Sequence, residues 1–520
     1  MQRARCKGFG VAAAALFTTL PLWASCDGQA ARRDAVPGAE GGAAGVGSGV
    51  GGVQQPGLPP VNSGPCALSL TEVALYQAVK IPLAVPDAAL GIVGATLRPA
   101  DVVQGRPALV RAFATPTEGW QGLATARLTL VSAAGTKTYD ASNDLRRPSN
   151  DLQFDSTFNF QVQGSDVRAD TEWRVDIVSP TSCAGIAVSR FPNQGTLGLA
   201  ARETGIVKVL IVPVQYDTDE SGRLPDITDL QVERYRSLIM SMYPVTGVEL
   251  SVREPVKTRL GVDPASGWED LLDALRQLRQ KDRAAADVHY YGVINPAASF
   301  STYCGRGCTA GIAYVTKEQQ PSLRVGVGVG FTGNFAAQTL AHELGHQHGR
   351  LHSPCNVDGD PQYPYEKGGI GVWGFDSTSR RVIDPAGFTD VMGYCNPTWV
   401  SDYTYQGFLE HLAFLKSQPT VQALKVERTW NVLLVHANGT AKWGHPLTSF
   451  EAPAGVAEVA QVFDEDGSLT ATPTVYRTAI ADSETSIVWV PTASQGWSSV
   501  VVKGARAHRF DAPVATPTLR

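Results

Sequence analysis

The chain reads as an alternating α/β domain on a mixed sheet, flanked before and after by β-sandwich-like segments. Three observations lead there. Between residues 201 and 424, apolar runs of strand length alternate with helical stretches. Segments near 109–178 and 431–502 instead alternate apolar and polar residues with the period of a strand. Within the central span, one proline-free helical run carries two histidines four residues apart.

Taken in order, the chain begins with Arg3, Arg5 and Lys7, an apolar run at 11–23, and then Ala24, Ser25 and Cys26. Residues 1–26 therefore read as an export signal, and the apolar run is too short to cross a bilayer. Cys26 after Ala24 and Ser25 is similar to the lipid-attachment box of bacterial lipoproteins, although Trp23 stands where that pattern prefers leucine. The chain is thus expected to be exported, either as a cell-envelope lipoprotein anchored through Cys26 or as a secreted protein. Residues 27–64, rich in Gly, Ala, Pro and Val, form a flexible tether. Residues 65–200 carry strand patterns at 109–113, 127–131, 158–162 and 173–178, for which an immunoglobulin-like sandwich is the best match.

The α/β span, 201–424, opens with a buried strand at 206–212, followed by a helix at 229–242, a strand at 248–252 and a helix at 268–278. Strands at 288–294, 311–315 and 324–331 lead into the helical run at 334–344. In 324–330 the valines fall on one face and the glycines on the other, which points to close approach by another backbone or by the following helix. Further on, Ser401 or Asp402 can cap a helix that buries Phe408, Leu409, Leu412 and Leu415. Residues 425–520 show strands at 431–435, 487–490 and 499–502, a small β-rich domain.

The chemistry is concentrated at His342-Glu343-Leu344-Gly345-His346-Gln347-His348-Gly349-Arg350-Leu351-His352, which reads H-E-x-x-H-x-x-G-x-x-H. His342 and His346 project from one helix face and can share an ion. His352 could not reach it if the helix continued, because ten residues of helix advance about 15 Å. Gly349 is the residue able to adopt a left-handed conformation and turn the chain back. Three neutral imidazoles leave tetrahedral Zn²⁺ an open position for water, and Glu343 is placed to take that water's proton. His348 lies off the ligand face and is read as an exposed or supporting side chain, outside the site.

At this point the sequence resembles the metzincin clan of zinc endopeptidases. These carry a methionine turn beneath the zinc, and Asp390-Val391-Met392-Gly393-Tyr394-Cys395 follows the third histidine. By that resemblance Met392 is structural, and Tyr394 binds zinc or stabilises the oxyanion. The alternative is a tyrosine packed under the site with its hydroxyl bonded to backbone. The resemblance also makes strand 311–315 the sheet edge above the cleft, where an extended substrate would add as a further strand.

Of eight cysteines, Cys6 and Cys26 fall in the signal, leaving six for an oxidising compartment. Sequence order pairs Cys66 with Cys183, Cys304 with Cys308 and Cys355 with Cys395. A competing role for Cys66 is as an inhibitory propeptide cysteine, but Gly64-Pro65-Cys66-Ala67-Leu68 lacks the rest of such a motif. Asp217, Asp219 and Ser221 resemble the start of a Ca²⁺ loop, yet the twelfth position is Thr228 rather than glutamate, and a solvated acidic turn is the competing reading.

The net charge of −5 makes no case for nucleic-acid binding, and membrane contact is expected only through a lipid anchor. The function expected is a monomeric zinc endopeptidase acting on extended polypeptide or glycoprotein substrates. The alternative is a surface adhesin or glycan-binding lipoprotein whose zinc is structural. The intact Glu343 favours the enzyme, since a structural site needs no general base.

Overall fold

The computed structural model describes residues 68–85, 91–116, 120, 122–179, 190–317, 320–417, 428–449, 453, 455–494, 496–508 and 519. Residues 1–64, expected to be signal and tether, and Cys66 and Cys183 lie outside them. Among the described residues no helix is long and apolar enough to cross a membrane.

The N-terminal strands are β1 (Leu68–Ala84), β2 (Ala108–Pro116), β3 (Leu123–Ser132), β4 (Gly135–Asp144), β5 (Phe158–Val162), β6 (Glu172–Ser179), β7 (Arg190–Phe191) and β8 (Leu197–Gly198). One antiparallel sheet places β2 between β1 and β5, and another pairs β3 with β4 and β6. Val73, Leu75, Val110 and Phe160 from the first and Ala126, Leu128, Trp173 and Val175 from the second belong to one buried apolar cluster.

The central span follows with β9 (Ile206–Tyr216), α1 (Asp229–Met242), β10 (Gly247–Val252), β11 (Val256–Thr258), α2 (Trp268–Lys281), β12 (Val288–Ile294), α3 (Phe300–Cys304), β13 (Gly311–Tyr314), β14 (Val325–Val329) and α4 (Asn334–Gln347). Strands β10, β9, β12 and β14 run parallel, and β13 lies antiparallel beside β14. Each helix has a local cause. The Thr228 hydroxyl accepts from the Gln231 amide to open α1. Glu269 and Asp270 in the first turn of α2, with Arg279 and Lys281 in its last, complement the helix dipole. Leu271, Leu272 and Leu275 then bury its inner face.

The glycine face of this sheet is what lets α4 lie so close. A Cβ on Gly326 would sit 2.7 Å from Gln347 Nε2, and one on Gly328 would sit 3.0 Å from Thr339 Cγ2. Gln347 and Thr339 both belong to α4, so the alternating valines and glycines of β14 do mark the approach of that helix.

After α4 come β15 (Gly374–Asp376), β16 (Arg381–Ile383), β17 (Thr389–Asp390), β18 (Thr398–Trp399) and α5 (Asp402–Ser417). Strands β15 and β16 join the N-terminal sheet by pairing β15 with β1, so that sheet draws on residues well beyond 200. The Ser401 hydroxyl accepts from the Thr404 amide to cap α5, which buries Phe408, Leu409 and Leu412, whereas Leu415 is only partly covered.

The C-terminal strands are β19 (Arg428–Val435), β20 (Ala441–Trp443), β21 (Leu447–Ser449), β22 (Val456–Val459), β23 (Gln461–Phe463), β24 (Leu469–Ala471), β25 (Thr474–Ala481), β26 (Ser486–Pro491), β27 (Ser499–Val502) and β28 (Ala505–His508). Six of them, β19, β20, β21, β22, β25 and β26, continue the central sheet, whose main strand order runs β10-β9-β12-β14-β13-β25-β26-β19-β20, while β23, β24, β27 and β28 form a separate four-stranded sheet. This corrects the expectation for 311–315. Strand β13 is not a free edge, because its outer side pairs antiparallel with β25 through Ala313 with Ala481 and Tyr314 with Ile480. The partner lies more than a hundred residues away in sequence, and nothing in the composition of β13 announces it.

Candidate metal centre

Helix α4 is covered on all sides, and His342, Glu343 and His346 are buried. Gly345 faces Met392 so closely that a Cβ there would collide with the methionine sulfur. The methionine turn is itself pinned, since Asp390 accepts from the Met392 amide at 2.8 Å and from the Ser401 amide at 2.8 Å. The helix ends where the sequence requires. Gly349 has φ of 79°, and a Cβ there would lie 2.8 Å from the Thr316 carbonyl oxygen, which bars other residues on two counts.

The turned chain then orients the ligands. His346 Nδ1 donates to the Arg350 carbonyl at 2.6 Å, and His342 Nδ1 donates to the Val391 carbonyl in the methionine turn at 2.7 Å. With those protons committed, both Nε2 atoms carry lone pairs. They face each other at 3.1 Å, and the His352 ring completes the group. Burial pushes the His342 ring below its ordinary pKa and the His346 ring down to about 4, so both are neutral at pH 7.

A fourth group closes the cluster. Asp482, at the turn between β25 and β26, places Oδ2 3.4 Å from His342 Nε2 and 3.3 Å from His346 Nε2, with Oδ1 3.3 Å from His352 Nε2. The ligand atoms of these four residues all lie within 4.8 Å of one another. Two imidazole lone pairs 3.1 Å apart, facing an anion, repel unless a cation lies between them. Two nitrogens each about 2.0 Å from one tetrahedral ion stand roughly 3.3 Å apart, so the donor set fits Zn²⁺.

Glu343 and Tyr394 border this group. A Cβ on Gly311 of β13 would approach Glu343 Oε1 to 2.6 Å, so the carboxylate rests against the glycine of that strand. Glu343 Oε2 makes no hydrogen bond among the described residues, and burial raises the carboxyl well above its ordinary range, with the Asp482 charge adding to the shift. The Tyr394 ring lies 5.1 Å from the His352 ring, and its hydroxyl donates to Asp482 Oδ1. That partner is a side chain, whereas the packed-tyrosine alternative placed the hydroxyl on backbone.

Below the ligands, Cys355 is joined to Cys395, and the Tyr394 amide donates to the Cys355 carbonyl at 3.0 Å. Cys304 is joined to Cys308 at the end of α3. His348 is not exposed: it is buried, stacks on His289 at 4.6 Å and donates from Nδ1 to the Leu344 carbonyl. The acidic turn lies elsewhere. Asp217 pairs with Lys257 at 2.9 Å and Asp219 with Arg223 at 2.7 Å, so cationic side chains already neutralise both carboxylates proposed for Ca²⁺. Asp482 was not foreseen. It follows His352 by 130 positions (482 − 352) within a polar turn that carries no ligand spacing.

Comparison with protein families agrees with this geometry. The model for metallo-peptidase family M12B, reprolysin-like, matches residues 242–353, and the model for peptidase M66 matches residues 323–405. The two overlap on the helix that bears the histidines, and the second extends through the methionine turn. No curated protein matches the chain. Two metallopeptidase family models that overlap on three convergent imidazoles support a metzincin-type zinc metallopeptidase in this part of the chain.

Proposed function

We propose that the chain is an endopeptidase that hydrolyses peptide bonds in extracellular protein or glycoprotein substrates. His342, His346 and His352 hold the ion, which when bound supplies Lewis-acid polarisation of the scissile carbonyl and the attacking water. Glu343 takes the proton of that water and returns it to the departing amine nitrogen. The Tyr394 hydroxyl, beside His352, donates to the oxyanion as it forms. Export through residues 1–26, with Cys26 as a lipid anchor and 27–64 as a tether, belongs to the same reading.

The observation that carries it is Glu343. A buried carboxylate with one oxygen unpartnered is costly, and a purely structural zinc site has no use for it. The alternative of a structural zinc module draws on Asp482, because four protein ligands are the mark of a closed site. Incubating the zinc-loaded full chain and its Asp482→Asn variant with unfolded proteins and mucins, and reading new termini by mass spectrometry, tests the proposal. Cleavage that disappears on chelation and in Glu343→Gln supports it. Absence of cleavage by both proteins would leave the structural module.

A further inference from the structure

Strand β25 occupies the side of β13 on which an extended substrate would add a strand. The pairing is antiparallel, through Ala313 with Ala481 and Tyr314 with Ile480. The next residue, Asp482, has φ of 59°, a left-handed conformation uncommon for a residue with a Cβ. That turn sends its carboxylate to within 3.4 Å of all three imidazoles. The hydroxyl of Tyr394 donates to the same carboxylate. The tip is tied down by its neighbours, for the Ser483 and Thr485 hydroxyls both donate to Glu269 in the first turn of α2. Behind it the hairpin is embedded, since Ile480, Ile487 and Trp489 share one buried cluster with Trp268, Leu271 and Leu275 of α2.

We propose that Asp482 is the fourth metal ligand and that the β25–β26 hairpin is a built-in occupant of the substrate cleft, so that this chain rests in a latent form. The inference builds on the zinc peptidase reading and adds its regulation. One element fills both places a substrate needs: the carboxylate takes the position open to water, and the strand takes the backbone edge. Opening calls for movement of the tip, residues 482–485, while the apolar strands stay in the core.

The test uses the full-length chain stripped of metal and reloaded with Zn²⁺ or Co²⁺. Asp482→Asn keeps the side-chain shape and tolerates the left-handed backbone, and Asp482→Gly adopts that backbone without strain, so the pair guards against misfolding. Chelator competition should show zinc affinity falling about tenfold or more in both variants. The visible spectrum of the Co²⁺ form should respond to acetohydroxamate at a ligand concentration about tenfold or more lower in the variants than in the unaltered chain. Cleavage of an unfolded polypeptide should rise at least about tenfold, the change that corresponds to unmasking a site closed nine-tenths of the time or more. Unchanged zinc affinity, or a Co²⁺ spectrum in the unaltered chain that responds to hydroxamate as readily as the variants', overturns the proposal, and so does an unaltered chain that cleaves as fast as they do. If affinity and spectra change as expected while no variant cleaves anything, the ligation stands and the peptidase reading fails.

Discussion

Two walls enclose the metal position. The inner wall is α4 with the methionine turn: its histidines are buried, their Nδ1 protons are fixed by the carbonyls of Val391 and Arg350, and its glycines are pressed against Met392 and Thr316. The outer wall is the β25–β26 tip, where Glu484 is exposed, Asp482 is partly covered, and the anchors are hydroxyl bonds to Glu269. A ligand set with no rotational freedom holds an ion whether or not the fourth position is filled. A ligand on a short polar turn can leave without unmaking the core. The contrast separates what binds the metal from what controls access to it.

The sharpest break in this comparison falls on the inner wall. Glu343→Gln should keep the metal, because the three imidazoles remain, and cut turnover by about 10² to 10⁴ through loss of the proton acceptor. Metal content by atomic absorption, measured beside kcat in an Asp482→Asn background, checks both halves. Near-normal turnover would remove Glu343 from the mechanism.

The next effect is on the floor beneath the ligands. The Cys355–Cys395 bond has a sequence separation of 40 and ties the chain just after His352 to the methionine turn. Replacing both cysteines by serine should lower stability by roughly 3 to 4 kcal/mol on loop-closure entropy, seen as a lower denaturant midpoint. If the inner wall is as rigid as its contacts imply, zinc affinity should fall with it. A stability change without an affinity change would show that the floor does not position His352.

Acid should loosen the same wall from behind. His411 of α5 is buried against His348, neither of its ring nitrogens makes a hydrogen bond among the described residues, and burial, then the neighbouring His348 and Arg324, push its pKa down to about 2. Because the unfolded chain titrates near 6.5, it binds the proton first. This contribution to stability is therefore complete above about pH 6.5 and declines as pH falls, by about 2 kcal/mol at pH 5. Comparing denaturant midpoints at pH 7 and pH 5 should show a smaller drop in His411→Leu than in the unaltered chain. Equal drops would place the acid sensitivity elsewhere.

The two walls also differ in how far sequence reveals them. His342, Glu343, His346, Gly349 and His352 declare themselves because helix periodicity and one left-handed turn are local properties, spread over eleven positions. The glycines of β14 announced α4 for the same reason: a missing Cβ records what lies against it. Asp482 and the pairing of β13 with β25 depend on a contact between distant segments, and an aspartate in a polar turn looks the same whether it meets solvent or three imidazoles. The recruitment of β15 by β1 escaped notice on the same grounds. Of the two readings of His348, exposed or supporting, only the exposed one fails, for a different reason. Its position off the ligand face is correct, but that face of α4 is covered too, by His289 and α5.

The smallest effect expected is the most informative about the outer wall. The Ser483 hydroxyl donates to Glu269 and accepts from the Thr485 amide at 3.0 Å, so it fastens the tip to α2 and shapes the turn. Thr485 keeps its own bond to Glu269 at 3.2 Å, and the apolar strands are untouched, so Ser483→Ala should remove only part of the restraint. A hydrogen bond of this kind contributes about 1 to 1.5 kcal/mol net, which corresponds to a rise of roughly five- to tenfold in the ratio of open to closed tip. Global unfolding should shift little, because opening of the tip exposes few apolar groups. The hydroxamate response of the Co²⁺ form should nevertheless appear at lower ligand concentration, by about the same factor, than in the unaltered chain. If Ser483→Ala shifts the unfolding midpoint instead and leaves the hydroxamate response unchanged, the tip does not move independently of the core, and the outer wall is as fixed as the inner one.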